Sequence, residues 1–448
     1  MAQKKIAILG AGESGAGAAV LAKMKGYDVF VSDSGPVKDK YKNIFSKNKI
    51  EYEEKQHSLE KILQADEVIK SPGIPVSAPV MKQIIAKQIP VCGEIEFASR
   101  YTKSTMIGIT GTNGKTTTTL LTHHILSKAG LKAGLTGNVG NSLAMMIAQD
   151  PQDYYVIELS SFQLDDMKNF KADIGILLNI TPDHLDRYPS FESYIESKFS
   201  ITRKQTVADA FIYCADDPVI EEHLPRHKIS SRPYPFSIKK KTTPGAHLHN
   251  NEIIINMENH QNPTFHMSIH NLSLQGKHNV YNSMAAAVAA NILNIRKDVI
   301  RDCLSDFRNA EHRLEHFATV HGVDYVNDSK ATNVNSTWYA LESFHRPVIL
   351  ILGGVDKGND YSLIKDLVCE KVKAIVCLGK DNKKIHKAFK DCVKTIVDVS
   401  SADEAVMAAS GLAAKGDVIL LSPACASFDL FDNYEDRGRQ FKRAVKAL

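Results

Sequence analysis

The 448-residue sequence predicts an α/β protein made of three successive sheet-bearing segments. Three observations carry that prediction. Short apolar runs alternate with helical patterns along most of the chain, as parallel sheets with crossover helices require. Two strand-to-helix joints are glycine-rich, Gly10-Ala11-Gly12-Glu13-Ser14-Gly15 and Gly111-Thr112-Asn113-Gly114-Lys115-Thr116. A further series of strands beyond Ala310 opens repeatedly into polar loops.

The length suggests about two to four domains. A hydrophobic share of 43% and a charged share of 24% are those of an ordinary globular chain. The net charge of +4 is too small to point to nucleic acid or to an anionic membrane. No apolar run approaches the roughly 20 residues of a membrane span. Met1-Ala2-Gln3-Lys4-Lys5 leads straight into a strand, without a signal-peptide pattern. The seven cysteines (Cys92, Cys214, Cys303, Cys369, Cys377, Cys392, Cys425) are scattered and form no CxxC pair. The expectation is reduced thiols in a cytoplasmic protein.

In the first segment, Lys4–Leu9 reads as a strand, followed by Gly10–Gly15 and a helix rich in small residues. Tyr27–Ser32 is the next strand and ends at Asp33, giving the GxGxxG pattern with an acid about 20 residues on. That pattern marks a Rossmann-like domain, either binding a dinucleotide or using the same frame for something else. Val68–Ser71 is a third strand, closed by Pro72-Gly73-Ile74-Pro75. Ligands of doubly wound sheets sit at carboxyl strand ends, so Gly12–Gly15, Asp33-Ser34 and Ser71–Gly73 are candidates for one pocket. The domain is expected to span residues 1–98.

The second segment, 99–308, carries the phosphate loop. The β-branched run Met106–Thr110 enters Gly111-Thr112-Asn113-Gly114, then Lys115-Thr116 and a helical pattern. Glycines let backbone N–H groups face phosphate oxygens, and the helix start adds its positive dipole end. Lys115 would reach the terminal phosphates and the Thr116 hydroxyl would ligate Mg²⁺. The common motif wants a glycine where this chain has Ile109. Thr136–Gly140 is a second turn cluster, and Tyr154–Leu159 a strand with Glu158 at its end, suited to the metal side of a phosphate site. Asp173–Asn179 is another strand, leading into Thr181–Asp186; His184 there is either a ligand or a structural loop histidine. Glu192–Arg203 reads as a helix in which spacing alone makes Lys198 a surface lysine. Residues 226–275 read as peripheral strands (Ile253–Asn256, Phe265–Ile269), with His247, His249, His260, His266 and His270 solvated. Gly276–Asn282 precedes an alanine-rich buried helix, Ser283–Leu293.

The third segment, 309–448, has strands at Val323–Val326, Val348–Leu352, Ala374–Leu378 and Val418–Leu421, with helices at Ala402–Ala413 and Glu435–Ala447. Its loops Asp328–Asn333, Gly353–Gly358 and Ser422–Asp429 are polar and should face one cleft. A phosphate loop, a strand-end acid and two flanking α/β segments argue for ATP-driven chemistry with two further substrates.

Several segments resemble one family in order along nearly the whole chain: GITGTNGKTTT (108–118), GNVG (137–140), ELSSFQL (158–164), NITPDHLDRY (179–188), GKHNVYN (276–282), EHRLE (311–315), NDSKATN (327–333), GGVDKG (353–358) and LSPACASFDLFDNYEDRGRQF (421–441). The chain resembles the Mur ligases of peptidoglycan synthesis, and NDSKATN with SPACASFD is similar to their D-glutamate-adding branch. The DNPR signature of the diamino-acid-adding branch is absent from the sequence. The resemblance implies an ATP-dependent ligase that adds D-glutamate to UDP-N-acetylmuramoyl-L-alanine through an acyl phosphate, with two Mg²⁺ sites that Mn²⁺ could also fill. It implies a cytoplasmic monomer without nucleic-acid or membrane partners. It assigns ATP to Gly111, Thr112, Asn113, Gly114, Lys115, Thr116, Thr117, Asn279, Arg313 and Asp328. Metal falls to Thr116, Glu158, His184 and a carbamylated Lys198, and the catalytic residues are Lys115, Glu158, His184, Lys198, His312 and Lys330. The sugar nucleotide falls to Ser14, Gly15, Asp33, Ser34, Gly73, Asn138, Ser161 and His184, and D-glutamate to Thr332, Lys357, Ser427, Phe428 and Tyr434.

Overall fold

The computed structural model describes residues 3–184, 187–257, 265–274, 276–307, 311–344 and 346–448. His260, Leu185 and Asp186, named above, lie outside the described residues, as does 308–310 at the expected second boundary. Among the described residues, the strands form three sheets.

The first sheet has five parallel strands in the order Glu51–Glu54, Asp28–Asp33, Lys5–Leu9, Glu67–Lys70, Val91–Gly93. Its central strand is a continuous apolar run with Ile6, Ala7, Ile8 and Leu9 all buried, as a parallel strand covered on both faces must be. The strand order reverses beside Lys5–Leu9, which places the pocket expected from the sequence at the Gly10 turn.

The second sheet runs Phe265–Ser268, Glu252–Asn256, Gly245–His249, Arg232–Ser237, Ala210–Cys214, Ile174–Leu177, Thr105–Thr110, Tyr154–Glu158, Ala133–Gly137. The phosphate-loop strand Thr105–Thr110 is thus interior, parallel to both neighbours. Only the hairpin strands at the far edge are antiparallel, in agreement with their reading as peripheral. His247 departs from expectation: it is buried, and desolvation lowers its pKa, whereas His249, His266 and His270 are exposed.

Buried carboxylates join these two sheets. Glu96 accepts from the backbone N–H groups of Lys168, Asn169 and Phe170, at 2.8 Å for Phe170. Glu94 accepts from Ser142 Oγ at 2.7 Å and Ala144 N at 2.6 Å, at the start of the helix Leu143–Gln149. Burial nevertheless raises the Glu94 pKa to about 6. Buried acids persist when several donors satisfy them.

The third sheet runs Glu315–Val320, Val323–Asn327, Val418–Leu421, Val348–Leu352, Val372–Leu378, Ile396–Val399. It is parallel apart from its first strand, which the sequence pattern did not reveal. The cysteine expectation is corrected here: Cys369 and Cys392 form a disulfide across 23 residues, while the other five remain free and buried. The chain forms two compact units, Met1–Asn271 with Tyr281–Asp306, and Leu272–Val280 with Phe307–Leu448. The first two sheets belong to the first unit and the third sheet to the second.

Candidate active site

The strand Thr105–Thr110 delivers the chain into the phosphate loop, and the helix Lys115–Lys128 leaves it. Gly114 caps that helix at φ +83°, a left-handed conformation that favours glycine. A Cβ there would also lie 2.4 Å from Asn282 Oδ1, so the position excludes side chains twice over. The loop is fastened from the neighbouring strand end: Thr112 N donates to Asn179 O at 2.9 Å, and Asn113 N donates to Asn179 Oδ1 at 2.8 Å. Lys115 Nζ donates to Gly111 O and Thr112 O, each at 2.8 Å, and so lies over the loop. Thr116 and Thr117 are buried in the first turn of the helix.

Glu158 is not a solvated strand-end acid. It is 1% exposed, its Oε1 accepts from Asn138 Nδ2 at 3.0 Å, and its backbone carbonyl accepts from Asn138 N at 2.9 Å. The GNVG turn is therefore clamped to the end of this strand. Ser161 is buried at the start of the helix Ser161–Asp165.

Lys198 overturns its reading as a surface lysine. On the helix Phe191–Phe199 it is 1% exposed, with Nζ 3.2 Å from Thr110 Oγ1, the last residue of the phosphate-loop strand. The ammonium also lies 5.2 Å from the centre of the Tyr194 ring. Burial, then the nearby charge of Lys115, drives its pKa well below the usual lysine value. His184 sits in the adjoining loop at φ +55°, its ring edge-on to Phe162 at 5.0 Å and its Nε2 3.8 Å from Asp183 Oδ2.

The expected first-domain pocket exists, with a volume of about 720 Å³. Asp33, Ser34 and Gly73 line it. Asp33 also fixes its floor, accepting from Ala11 N at 2.7 Å and from Gly35 N at 2.8 Å. Ser14 and Gly15 do not line it, and Gly15 is a packing residue: a Cβ there would lie 1.8 Å from Gly10 O. His57 lines the pocket and was missed; its Nδ1 is 2.7 Å from Ser32 Oγ. No sequence motif marks it, because its place follows from the strand order.

In the second unit the polar loops do converge. Val355 N donates to Ala426 O at 2.8 Å, Asn359 Nδ2 to Ala424 O at 3.0 Å, and Ser422 Oγ to Asp328 Oδ2 at 2.8 Å. Asp328 also accepts from Leu314 N at 3.1 Å, and burial raises its pKa to about 7. His312 is buried at φ +66°, with Nδ1 2.8 Å from Asn327 Nδ2, and its backbone carbonyl accepts from Lys330 N at 3.0 Å. Gly438 makes room for the His312 ring, since a Cβ there would lie 2.2 Å from Nδ1. Lys330 Nζ lies 5.5 Å from the centre of the Tyr434 ring.

Arg437 was also missed and organises this loop cluster. Wholly buried, it donates from Nη2 to Ser329 O at 2.8 Å, from Nε to Ser329 Oγ at 2.9 Å, and from both terminal nitrogens to Cys425 O at 3.2 Å. Of the proposed D-glutamate residues, Ser427 is buried, Thr332 and Tyr434 are half-buried, and Lys357 and Phe428 are exposed, Phe428 by 70%. Asn279 and Arg313 lie in this same unit; Asn279 is buried on the first turn of the helix Lys277–Ile292 and Arg313 is half-buried.

A phosphate loop on an interior parallel strand, with a buried acid and a buried lysine beside it, defines a nucleotide-dependent enzyme of the phosphoryl-transfer kind. The chain belongs to the Mur ligase family: residues 5–80 match the MurD N-terminal domain, 109–290 the Mur ligase middle domain, and 312–425 the Mur ligase glutamate ligase domain. A UDP-N-acetylmuramoylalanine--D-glutamate ligase of Bacteroides fragilis is 54% identical over 447 residues, covering 99% of this chain and 100% of that protein. One of Porphyromonas gingivalis is 55% identical, covering 99% and 98%. Among solved structures, the UDP-N-acetylmuramate-alanine ligase MurC of Thermotoga maritima has a TM-score of 0.65 at 19% identity, covering 99% of both chains. A pseudomurein peptide ligase type C of Methanothermus fervidus has a TM-score of 0.64 at 22% identity, covering 99% of this chain and 100% of that one. These two share the fold.

Proposed function

We propose that this chain is an ATP-dependent ligase that joins D-glutamate to UDP-N-acetylmuramoyl-L-alanine in the making of a peptidoglycan precursor. The observation that carries the reading is full-length identity of 54% to relatives named for that reaction, in a chain whose phosphate loop, Glu158 and Lys198 are built as ATP chemistry needs. The division into a sugar-nucleotide segment 1–98, an ATP segment 99–308 and an amino-acid segment 309–448 belongs to the same reading.

A carboxylate is a poor electrophile. Attack of one L-alanine carboxylate oxygen on the γ-phosphorus forms an acyl phosphate and releases ADP. The amine of D-glutamate then attacks the acyl carbon, the amide bond forms, phosphate leaves, and the amine proton passes to solvent. Lys115 and the backbone N–H groups of Gly114 and Thr116 hold the phosphates, while Thr112 N and Asn113 N stay on Asn179 and keep the loop in shape, one such phosphate donor being worth about 10²–10³ in rate. Asn138 keeps Glu158 oriented, and Thr332, Lys357, Ser427, Phe428 and Tyr434 receive the amino acid, whose two carboxylates suit an ammonium, hydroxyls and loop N–H groups. The resemblance assigns Asn279, Arg313 and Asp328 to the nucleotide, and His312 and Lys330 to the catalytic residues.

The donor set of the first unit fits divalent cations. The Thr116 hydroxyl, the Glu158 carboxylate and the His184 imidazole would hold Mg²⁺ or Mn²⁺, which neutralise phosphate charge. The desolvated Lys198 amine is held toward its neutral form, the form that adds to carbon dioxide. A carbamate there, formed with loss of one proton, would supply the oxygen ligands for a second ion. The reading also places the protein in the cytoplasm as a monomer.

The test is product formation with a panel of amino acids, UDP-N-acetylmuramoyl-L-alanine and ATP. D-glutamate should be the preferred substrate by a wide margin. Equal or better use of L-alanine, L-lysine or a diamino acid would overturn the assignment.

A further inference from the structure

At the carboxyl end of the strand Val372–Leu378, next to the loops Gly353–Gly358 and Ser422–Asp429, three metal-ligating side chains meet. Cys377 is on the strand Val372–Leu378, and parallel register sets Asp398 of the strand Ile396–Val399 directly opposite it. His386 comes from the helix Lys383–Phe389 that connects those two strands. The Cys377 Sγ, a His386 ring nitrogen and an Asp398 carboxylate oxygen lie within 4.8 Å of one another. Cys377 is wholly buried, whereas the His386 and Asp398 side chains are 39% and 58% exposed. Asn382 orients the carboxylate: its Nδ2 donates to Asp398 Oδ1 at 2.9 Å and to Gly379 O at 3.0 Å.

We propose that Cys377, His386 and Asp398 form a binding site for a zinc-class divalent cation, with a water as fourth ligand. A thiolate with an imidazole and a carboxylate is a soft-to-borderline set, which favours zinc over magnesium or calcium. Bonds of about 2.0–2.3 Å in a tetrahedron set ligand atoms about 3.3–3.8 Å apart. The two exposed side chains can close the remaining distance by rotamer adjustment, while the buried thiol anchors the site. Asn382 supplies the outer hydrogen bond that fixed metal-binding carboxylates ordinarily have. One thiol proton is released to solvent as the ion binds. The ion would pin the helix Lys383–Phe389 to the outermost strand of the sheet. None of its ligands is among the residues assigned to nucleotide, sugar or amino acid.

The full-length protein, dialysed against chelator and reduced, is titrated with cobalt(II) as a spectroscopic stand-in for zinc. The expected result is one equivalent with a thiolate-to-cobalt charge-transfer band, which oxygen-rich magnesium sites cannot produce. Cys377→Ser should abolish the band, and His386→Gln should weaken cobalt binding about tenfold or more without altering the far-ultraviolet circular dichroism. Cys303→Ala should leave the band intact, separating this site from the His124, Cys303 and Asp306 group. ATP turnover of His386→Gln at saturating magnesium should match the unaltered protein. Absence of the band in the unaltered protein, its persistence in Cys377→Ser, or unchanged affinity in folded His386→Gln would overturn the proposal.

Discussion

Gly114→Ala probes the geometry on which ATP binding rests. A Cβ at this position adopts φ +83° and meets Asn282 Oδ1 at 2.4 Å, with Asn282 Cγ and Leu178 Cδ1 each at 3.3 Å. The left-handed conformation costs an alanine about 1 kcal/mol. Relieving the overlap pushes Asn282 away from Thr118 Oγ1, whose bond to Asn282 Oδ1 is 3.3 Å long, at a further cost of about 1 kcal/mol. The loop escapes both costs by shifting, and must take them back to cradle phosphate. ATP affinity should therefore fall by about 2 kcal/mol, roughly 30-fold. Equilibrium binding of a non-hydrolysable ATP analogue measures this, with circular dichroism to establish that the fold is retained. Adding Asn282→Ala removes the overlap but not the strained φ, so the double variant should recover to within about tenfold of the original. Unchanged affinity in the single variant would refute the reasoning, as would a double variant no better than the single.

Four other outcomes follow from the same geometry. Lys115→Ala should abolish turnover, by at least about 10²-fold, while leaving the melting transition in place. Lys198→Ala should be severely impaired in turnover and partly rescued by added short carboxylic acids; a fully active variant would remove the case for a carbamate. Glu94 has a folded pKa of about 6, above its unfolded value near 4.5, so its contribution to stability is complete below that lower value and is lost as pH rises through the upper one. Urea titrations should show about 2 kcal/mol of stability lost across that window, and Glu94→Gln should flatten it. Arg437→Met strips Ser329 O and Cys425 O of a buried donor, so the second unit should lose about 2–4 kcal/mol of stability and D-glutamate should bind more weakly.

Much of this arrangement is legible in the sequence where one local pattern carries it. The phosphate loop is strand, glycines, lysine and helix in consecutive residues, and its apolar strand lies inside the second sheet as the pattern implies. What is not legible depends on which elements become neighbours. Phe191–Phe199 looks like a polar surface helix, yet Lys198 is enclosed because that helix packs beside the end of the strand Thr105–Thr110. Family resemblance marks Lys198 where spacing does not. His57 lines the first-domain pocket, and Arg437 binds two loop carbonyls from a helix whose sequence is mostly charged. Edge strands such as Glu315–Val320 are half-exposed and mixed in composition, so they lack the apolar runs that reveal interior strands. The Cys369–Cys392 disulfide joins positions 23 residues apart in no recognisable spacing.

The most direct measurement of the central claim uses UDP-N-acetylmuramoyl-L-alanine labelled with heavy oxygen in its alanine carboxylate. If that carboxylate attacks the γ-phosphorus of ATP, each turnover with D-glutamate must carry one labelled oxygen into inorganic phosphate and leave one in the new amide. Label should appear in phosphate one-for-one with product, and phosphate release should require the sugar nucleotide and D-glutamate together. Unlabelled phosphate accompanying amide product, or equal release without D-glutamate, would contradict the account.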